Sequence, residues 1–151
     1  MAMYYVDTSA VVKRFVNERG TPWMQAFSVP PTIFLTASLT FVELMSTFNR
    51  RQRDGSIDST VYADLMRDLT IQWATYTVIR LTNTILSKTR PLLERHPLRA
   101  ADAIQLASAL QANAPLVAAG LPPLTFLSAA DRLLLAAHAE GLPIDNPLQH
   151  P

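Results

Sequence analysis

The chemistry in this chain rests on carboxylates. Asp7 ends the apolar run Met3 to Val6 and is followed by the hydroxyls of Thr8 and Ser9. Glu43 stands near the start of an amphipathic stretch, in Thr40-Phe41-Val42-Glu43. Asp102 lies inside the mostly apolar run Leu98 to Ala107, with Leu98 and Leu106 four residues to either side. Asp131 follows the apolar run Leu124 to Leu127, in Ser128-Ala129-Ala130-Asp131-Arg132. Gathered together, such carboxylates repel one another until a divalent ion sits among them. Oxygen-only donors suit the hard cations Mg²⁺ and Mn²⁺. A bound Mg²⁺ keeps several waters, presents one as a nucleophile and neutralises charge on a phosphate. That chemistry suits hydrolysis of a phosphodiester.

Each acid also has a plain structural explanation. Asp7, Thr8 and Ser9 suit a capping turn, with Thr8 or Ser9 as the cap. Thr40 and Glu43 match the capping-box pattern, in which the acid reaches back to the cap residue. Asp102 is favoured near a helix N-terminus, and Arg99 three residues earlier is a candidate ion-pair partner. If Arg99 turns to solvent, a bound cation supplies the missing charge. Asp131 reads equally as an acid in the first turn of a helix, with Ser128 as a cap.

Other chemistries find no support. There is no cysteine, and His96, His138 and His150 lie far apart, which argues against zinc and thiolate sites. No glycine-rich phosphate loop and no G-x-S-x-G elbow is present. Arg50, Arg51 and Arg53 suit the C-terminal end of a helix, with a phosphate-contacting patch as the alternative. Arg90, Arg95 and Arg99 bracket the entry to the Asp102 segment and are the better candidates for touching a nucleic acid there.

The elements that must position these acids alternate in type. Strands are expected at Met3–Val6, Ile33–Ala37, Tyr76–Ile79 and Leu124–Leu127, with a short edge strand over Leu142–Ile144. Helices are expected from Ser9 to Glu18, Thr21 to Phe27, Thr40 to Arg53 and Asp58 to Trp73. Further helices follow from Thr82 to Glu94, Leu98 to Ala112 and Ala130 to Glu140, and Val29-Pro30-Pro31 stops the second of the seven. This alternation predicts an α/β fold with a mainly parallel sheet. Ligands bind such sheets beyond the carboxyl ends of the strands, which is where Asp7 falls.

Apolar residues form 49% of the 151-residue chain, enough for the core of one domain. We expect that domain over residues 1–146, with a proline-rich tail over residues 147–151. The formal net charge of +1 means that any nucleic acid is gripped by a local patch. The N-terminus lacks the basic start and long apolar run of a secretory signal, and no membrane span is expected. The expected location is the cytoplasm.

Three segments carry a family resemblance. Tyr4-Tyr5-Val6-Asp7-Thr8-Ser9-Ala10, Ser38 to Leu44 and Leu98 to Ala107 resemble, in order, motifs of PIN-domain nucleases, and more narrowly of the VapC toxins of VapBC toxin–antitoxin systems. The resemblance implies an α/β/α sandwich around a parallel sheet. It implies a Mg²⁺-dependent endoribonuclease, with Mn²⁺ as an alternative, that acts on RNA, forms a homodimer and is inhibited by a VapB-like antitoxin. By the same resemblance Asp7, Glu43 and Asp102 hold metal and activate water, with Asp7 and Asp102 as the metal ligands. The fourth acidic position of the family follows a hydroxyl residue and one spacer. Here it falls on Ala130, with Asp131 one step late: either Asp131 turns in and serves as the fourth catalytic acid, or that acid is absent. That departure motivates the rival reading of a catalytically impaired PIN-like module that binds RNA or protein. An unrelated phosphatase is a weaker rival, because Ser9 stands where a second Asp would be needed.

Overall fold

The computed structural model describes residues 2–27 and 32–151. The expected stop at Val29-Pro30-Pro31 lies outside the described residues. Five strands, β1 (Ala2–Val6), β2 (Thr32–Ala37), β3 (Thr77–Ile79), β4 (Thr125–Leu127) and β5 (Ile144–Asp145), form one sheet in the order β3-β2-β1-β4-β5. Every neighbouring pair is parallel. The chain builds outward from β1 through β2 to β3, then returns to the other side of β1 for β4 and β5. The order therefore reverses at β1, which makes its carboxyl end the crevice where such sheets bind ligands.

Side chains alternate across the sheet, as the pleat requires. Tyr5, Leu35, Ala37 and Phe126 point into one core, packed with α5 (Asn83–Arg95), α6 (Ala100–Ala118) and α7 (Asp131–Ala139). Val6, Phe34 and Leu127 point into the other, packed with α1 (Thr8–Val11), α2 (Thr21–Ala26), α3 (Ser38–Arg53) and α4 (Ser59–Trp73). The architecture is the expected three-layer α/β/α sandwich.

Several boundaries moved for identifiable reasons. The first helix is one turn, Thr8–Val11, followed by a 3-10 turn over Val12–Arg14, instead of running to Glu18. Its cap is Asp7, whose carboxylate accepts from the Ala10 N–H, leaving Thr8 and Ser9 free for other work. Helix α3 begins at Ser38, so Thr40 sits inside its first turn and the expected capping box at Thr40 and Glu43 does not form. Helix α6 runs to Ala118 instead of Ala112 and carries Pro115 within its last turns. Among the described residues, no helix is long and apolar enough to cross a membrane.

Residues 147–151, the expected C-terminal tail, pack onto the domain. Pro147–Gln149 forms a 3-10 turn capped by Asn146, and Pro147 is buried. The His150 ring stacks on Trp23 at 4.0 Å, and Arg19 donates to the Leu148 carbonyl at 3.0 Å. Gly20 makes this closure possible. Its φ is +90°, and a Cβ there would lie 2.8 Å from the Pro147 carbonyl oxygen. Gly55 has a similar φ of +82° with nothing near a Cβ. Gly55→Ala should therefore cost about 1 kcal/mol, the left-handed penalty alone. Gly20→Ala should cost at least about 1 kcal/mol more, because rigid backbone must also shift. Urea unfolding of the two variants checks this, and equal losses would rule out close docking of the C-terminal turn.

Candidate active site

Asp7 leaves β1 at the crevice and is 5% exposed. Burying a carboxylate is costly unless donors surround it. Three do. Ser9 Oγ donates to Oδ1 at 2.7 Å, the Ala10 N–H to Oδ1 at 3.0 Å, and Ser128 Oγ to Oδ2 at 2.8 Å. Ser128 is fully buried at the end of β4 and takes the Ala130 N–H on its own oxygen at 3.0 Å. It serves Asp7 and is not the cap of α7, whose cap position is Ala130 with no side-chain bond. Burial still wins over these donors and raises the Asp7 pKa from 3.8 to about 6, with Glu43 adding a smaller upward push.

Glu43, in the second turn of α3, turns toward Asp7's side of the cavity. Its Oε1 accepts from Thr8 Oγ1 at 2.7 Å and from Gln105 Nε2 at 3.0 Å. Gln105 is 3% exposed and joins three elements. Its Nε2 also donates to Thr40 Oγ1 at 2.9 Å, and its Oε1 accepts from Tyr5 Oη at 2.6 Å. The Tyr5 pKa is raised by burial, with Asp7 adding to it, so the phenol stays protonated and donates. Thr36 Oγ1 gives its proton to the Val6 carbonyl at 2.6 Å and lies 2.8 Å from Thr40 Oγ1. With one proton per hydroxyl, the order runs from Gln105 through Thr40 and Thr36 to the Val6 carbonyl, next to Asp7.

Asp102 sits in the first turn of α6. Its Oδ2 takes the backbone N–H of Arg99 at 3.1 Å and Arg132 Nε at 2.9 Å. The charged partner is therefore Arg132, on α7, and not the Arg99 side chain that spacing suggested. Asp131 begins α7 and is exposed. One cavity of about 320 Å³ is lined by Asp7, Glu43 and Asp102 together with Arg51, Ala130 and Arg132, and Asp131 is outside its lining. Three of the four candidate acids thus meet at one place, and the fourth does not. The arginine reading changes as well. Arg90 pairs with Glu94 at 2.7 Å and Arg95 with Glu140 at 2.8 Å, whereas Arg51, read first as a helix-end residue and second as part of a phosphate-contacting patch, lines the cavity and lies 3.7 Å from Glu18.

The lining oxygens fit a hard cation in type, since no sulfur or imidazole takes part. Among the described residues no three of His, Cys, Asp or Glu lie close enough together to hold an ion alone. The arrangement fits Mg²⁺ in a particular way. That ion binds through one or two carboxylates and completes its shell with water. Asp7 and Asp102 are the residues that would hold it.

The model of the PIN domain family matches residues 4–120, more than half of the chain. Ribonuclease VapC45 of Mycobacterium tuberculosis is 32% identical over 141 residues, spanning 93% of each chain. The chain is a PIN-domain protein of the VapC family. Solved structures share the fold at lower identity. A toxin–antitoxin complex from Klebsiella pneumoniae superposes with a TM-score of 0.64 at 17% identity, covering 95% of this chain and 97% of that one. FitAcB from Neisseria gonorrhoeae gives 0.65 at 14% identity, covering 96% and 98%.

Sequence reasoning missed Gln105, Tyr5 and Arg132 as parts of this VapC-family site. Gln105 carried a usable signal. An amide within Ala103-Ile104-Gln105-Leu106-Ala107 is bound for a buried face and must find partners there. Gln105→Met strands the Tyr5 hydroxyl and Thr40, and should destabilise the fold by about 1–3 kcal/mol in urea titrations. Asp7 predicts a pH effect in metal-free buffer. Its folded pKa of about 6 lies above the ordinary 3.8, so the folded state keeps a proton that the unfolded chain releases between those values. Stability should fall as pH rises through that window, by at most about 3 kcal/mol. Asp7→Asn should lack this fall, gaining on wild type from pH 4 to pH 6 and levelling off above. Parallel pH profiles would contradict the assignment.

Proposed function

We propose that this VapC-family chain is a metal-dependent endoribonuclease and the toxin of a type II toxin–antitoxin pair. One observation carries the reading: three carboxylates from distant parts of the sequence and two arginines surround a single cavity at the reversal point of the sheet. Its relative VapC45 is a ribonuclease, and a fold neighbour is a toxin–antitoxin complex. Homodimerisation, a VapB-like antitoxin and a cytoplasmic site of action belong to the same proposal.

Asp7 and Asp102 would hold Mg²⁺, with Mn²⁺ as a substitute. The bound ion supplies Lewis acidity and a water more acidic than bulk. Asp7 is ionised above pH about 6 and is then a full ligand. Glu43 is fixed through Oε1 by Thr8 and Gln105, which leaves Oε2 to accept the proton of the attacking water. Arg51 places positive charge on the cavity wall for the RNA backbone. The absence, among the described residues, of three converging ligands, with Ala130 at the fourth acidic position, favours a second reading, a PIN module that binds without cutting.

Asp7→Asn and Asp102→Asn should each abolish RNA cleavage, by at least about 100-fold, and relieve growth arrest on expression. Asp131→Asn, outside the cavity, should keep wild-type activity within about twofold. Calorimetric titration with Mn²⁺ separates the readings. Cleavage retained in both cavity variants overturns the nuclease mechanism, and no binding at millimolar Mn²⁺ selects the non-cutting module.

A further inference from the structure

The wall of the cavity holds an unusual exchange of charge. Ala130, where the family pattern puts a fourth acid, faces the cavity without a carboxylate. Two residues on, Arg132 reaches the same cavity and holds Asp102 Oδ2 at 2.9 Å. The lining therefore carries three acids, Asp7, Glu43 and Asp102, against two arginines, Arg132 on Asp102 and Arg51, which is shared with Glu18 at 3.7 Å. Such a wall has charge enough to hold one divalent ion, with little left to hold a second. In two-cation phosphodiester sites the second ion steadies the oxygens of the phosphate in transit. A guanidinium does the same work through a planar fork of donors matched to phosphate oxygens.

We propose that Arg132 is a catalytic residue that takes the place of a second cation, resting on Asp102 until RNA arrives and then holding a non-bridging oxygen of the scissile phosphate. This rests on the nuclease reading above. Three observations support it. Arg132 uses its Nε on Asp102, and its two terminal nitrogens have no protein acceptor among the described residues. Its side chain is 43% exposed against 16% for Asp102, so it can turn without unpacking a core. It comes from α7, which packs on the opposite face of the sheet from α3, the helix that carries Arg51, so the two cations reach the cavity from different layers. While it rests on Asp102, Arg132 also opposes metal entry, because guanidinium and ion draw on one carboxylate.

The consequence is a pair of opposite effects at one residue. In Arg132→Gln, the Mn²⁺ affinity of RNA-free protein, measured by calorimetry, should rise about fivefold or more, while kcat for RNA cleavage at saturating Mn²⁺ falls about 100-fold. Arg132→Lys keeps the charge and should hold the wild-type Mn²⁺ affinity within about twofold, recovering only part of kcat because a point charge lacks the fork. Urea midpoints of both variants should match wild type. An unchanged Mn²⁺ affinity in Arg132→Gln overturns the resting contact. An unchanged kcat, or a loss confined to KM, overturns the catalytic role. These failures leave the nuclease reading intact if wild type binds Mn²⁺ and cleaves RNA. Wild-type protein that does neither brings down both.

Discussion

Asp7 ends the central strand at the point where strand order reverses, and it is nearly closed to water there. A carboxylate in that position must be met by donors or stay protonated, and the local structure is arranged around this demand. The one-turn helix α1 offers the Ala10 N–H, the following hydroxyl of Ser9 bends back, and β4 brings Ser128 from more than a hundred residues away. These contacts do not cancel the cost of burial, since the pKa still stands near 6. The acid is thus kept poised. Its remaining demand for positive charge is what a divalent ion would meet.

The same demand spreads outward through neutral groups. Glu43 lies close enough to Asp7 to raise its pKa, so Glu43 needs its own donors. Thr8 and Gln105 supply them. Gln105 can be held in the right orientation only because Tyr5 keeps its proton and occupies the amide oxygen. A flipped amide would set its oxygen against Glu43 and Thr40. The chain of bonds through Thr40 and Thr36 returns to the Val6 carbonyl, one residue before Asp7. Glu43 and the strand end that carries Asp7 are therefore positioned by a polar network across β1, β2, α3 and α6, whose members are mostly buried, while Asp102 stands outside it on Arg99 and Arg132. Such networks are stabilising when complete and costly when broken at any one place.

The reach of sequence reasoning follows from which contacts are local. Strand positions were readable from short apolar runs, and helix α4 was readable in full because Asp58 caps it with its own side chain. Asp7, Glu43 and Asp102 were readable as a set because each sits where the pattern changes. What failed were pairings with equally good local and distant answers. Thr40 looked like a cap for Glu43, yet α3 starts earlier and Thr40 is drawn inward by Thr36 and Gln105. Arg99 lay nearest to Asp102 along the chain, but only its backbone N–H is used, and the charge comes from Arg132, thirty residues on. Arg95 looked close to the site and is held away by Glu140. A long side chain's partner is decided by which helices become neighbours, and periodicity alone does not encode that.

The family model ends at residue 120, and the three residues that decide how the site's charge is met lie beyond it. Ser128 steadies Asp7, Ala130 leaves out a carboxylate, and Arg132 covers Asp102. The acids themselves all come from the matched segment. The division has a physical basis. Carboxylates at the ends of β1 and at the starts of α3 and α6 are placed by backbone elements that any chain with this sheet order must build. The turn after β4 enters the cavity from the far side of β1 and is constrained only by its two flanking elements. A substitution there alters the charge facing the acids without disturbing the sheet or the polar network beneath it. The balance of cations at this site can therefore differ between PIN domains whose carboxylates are the same.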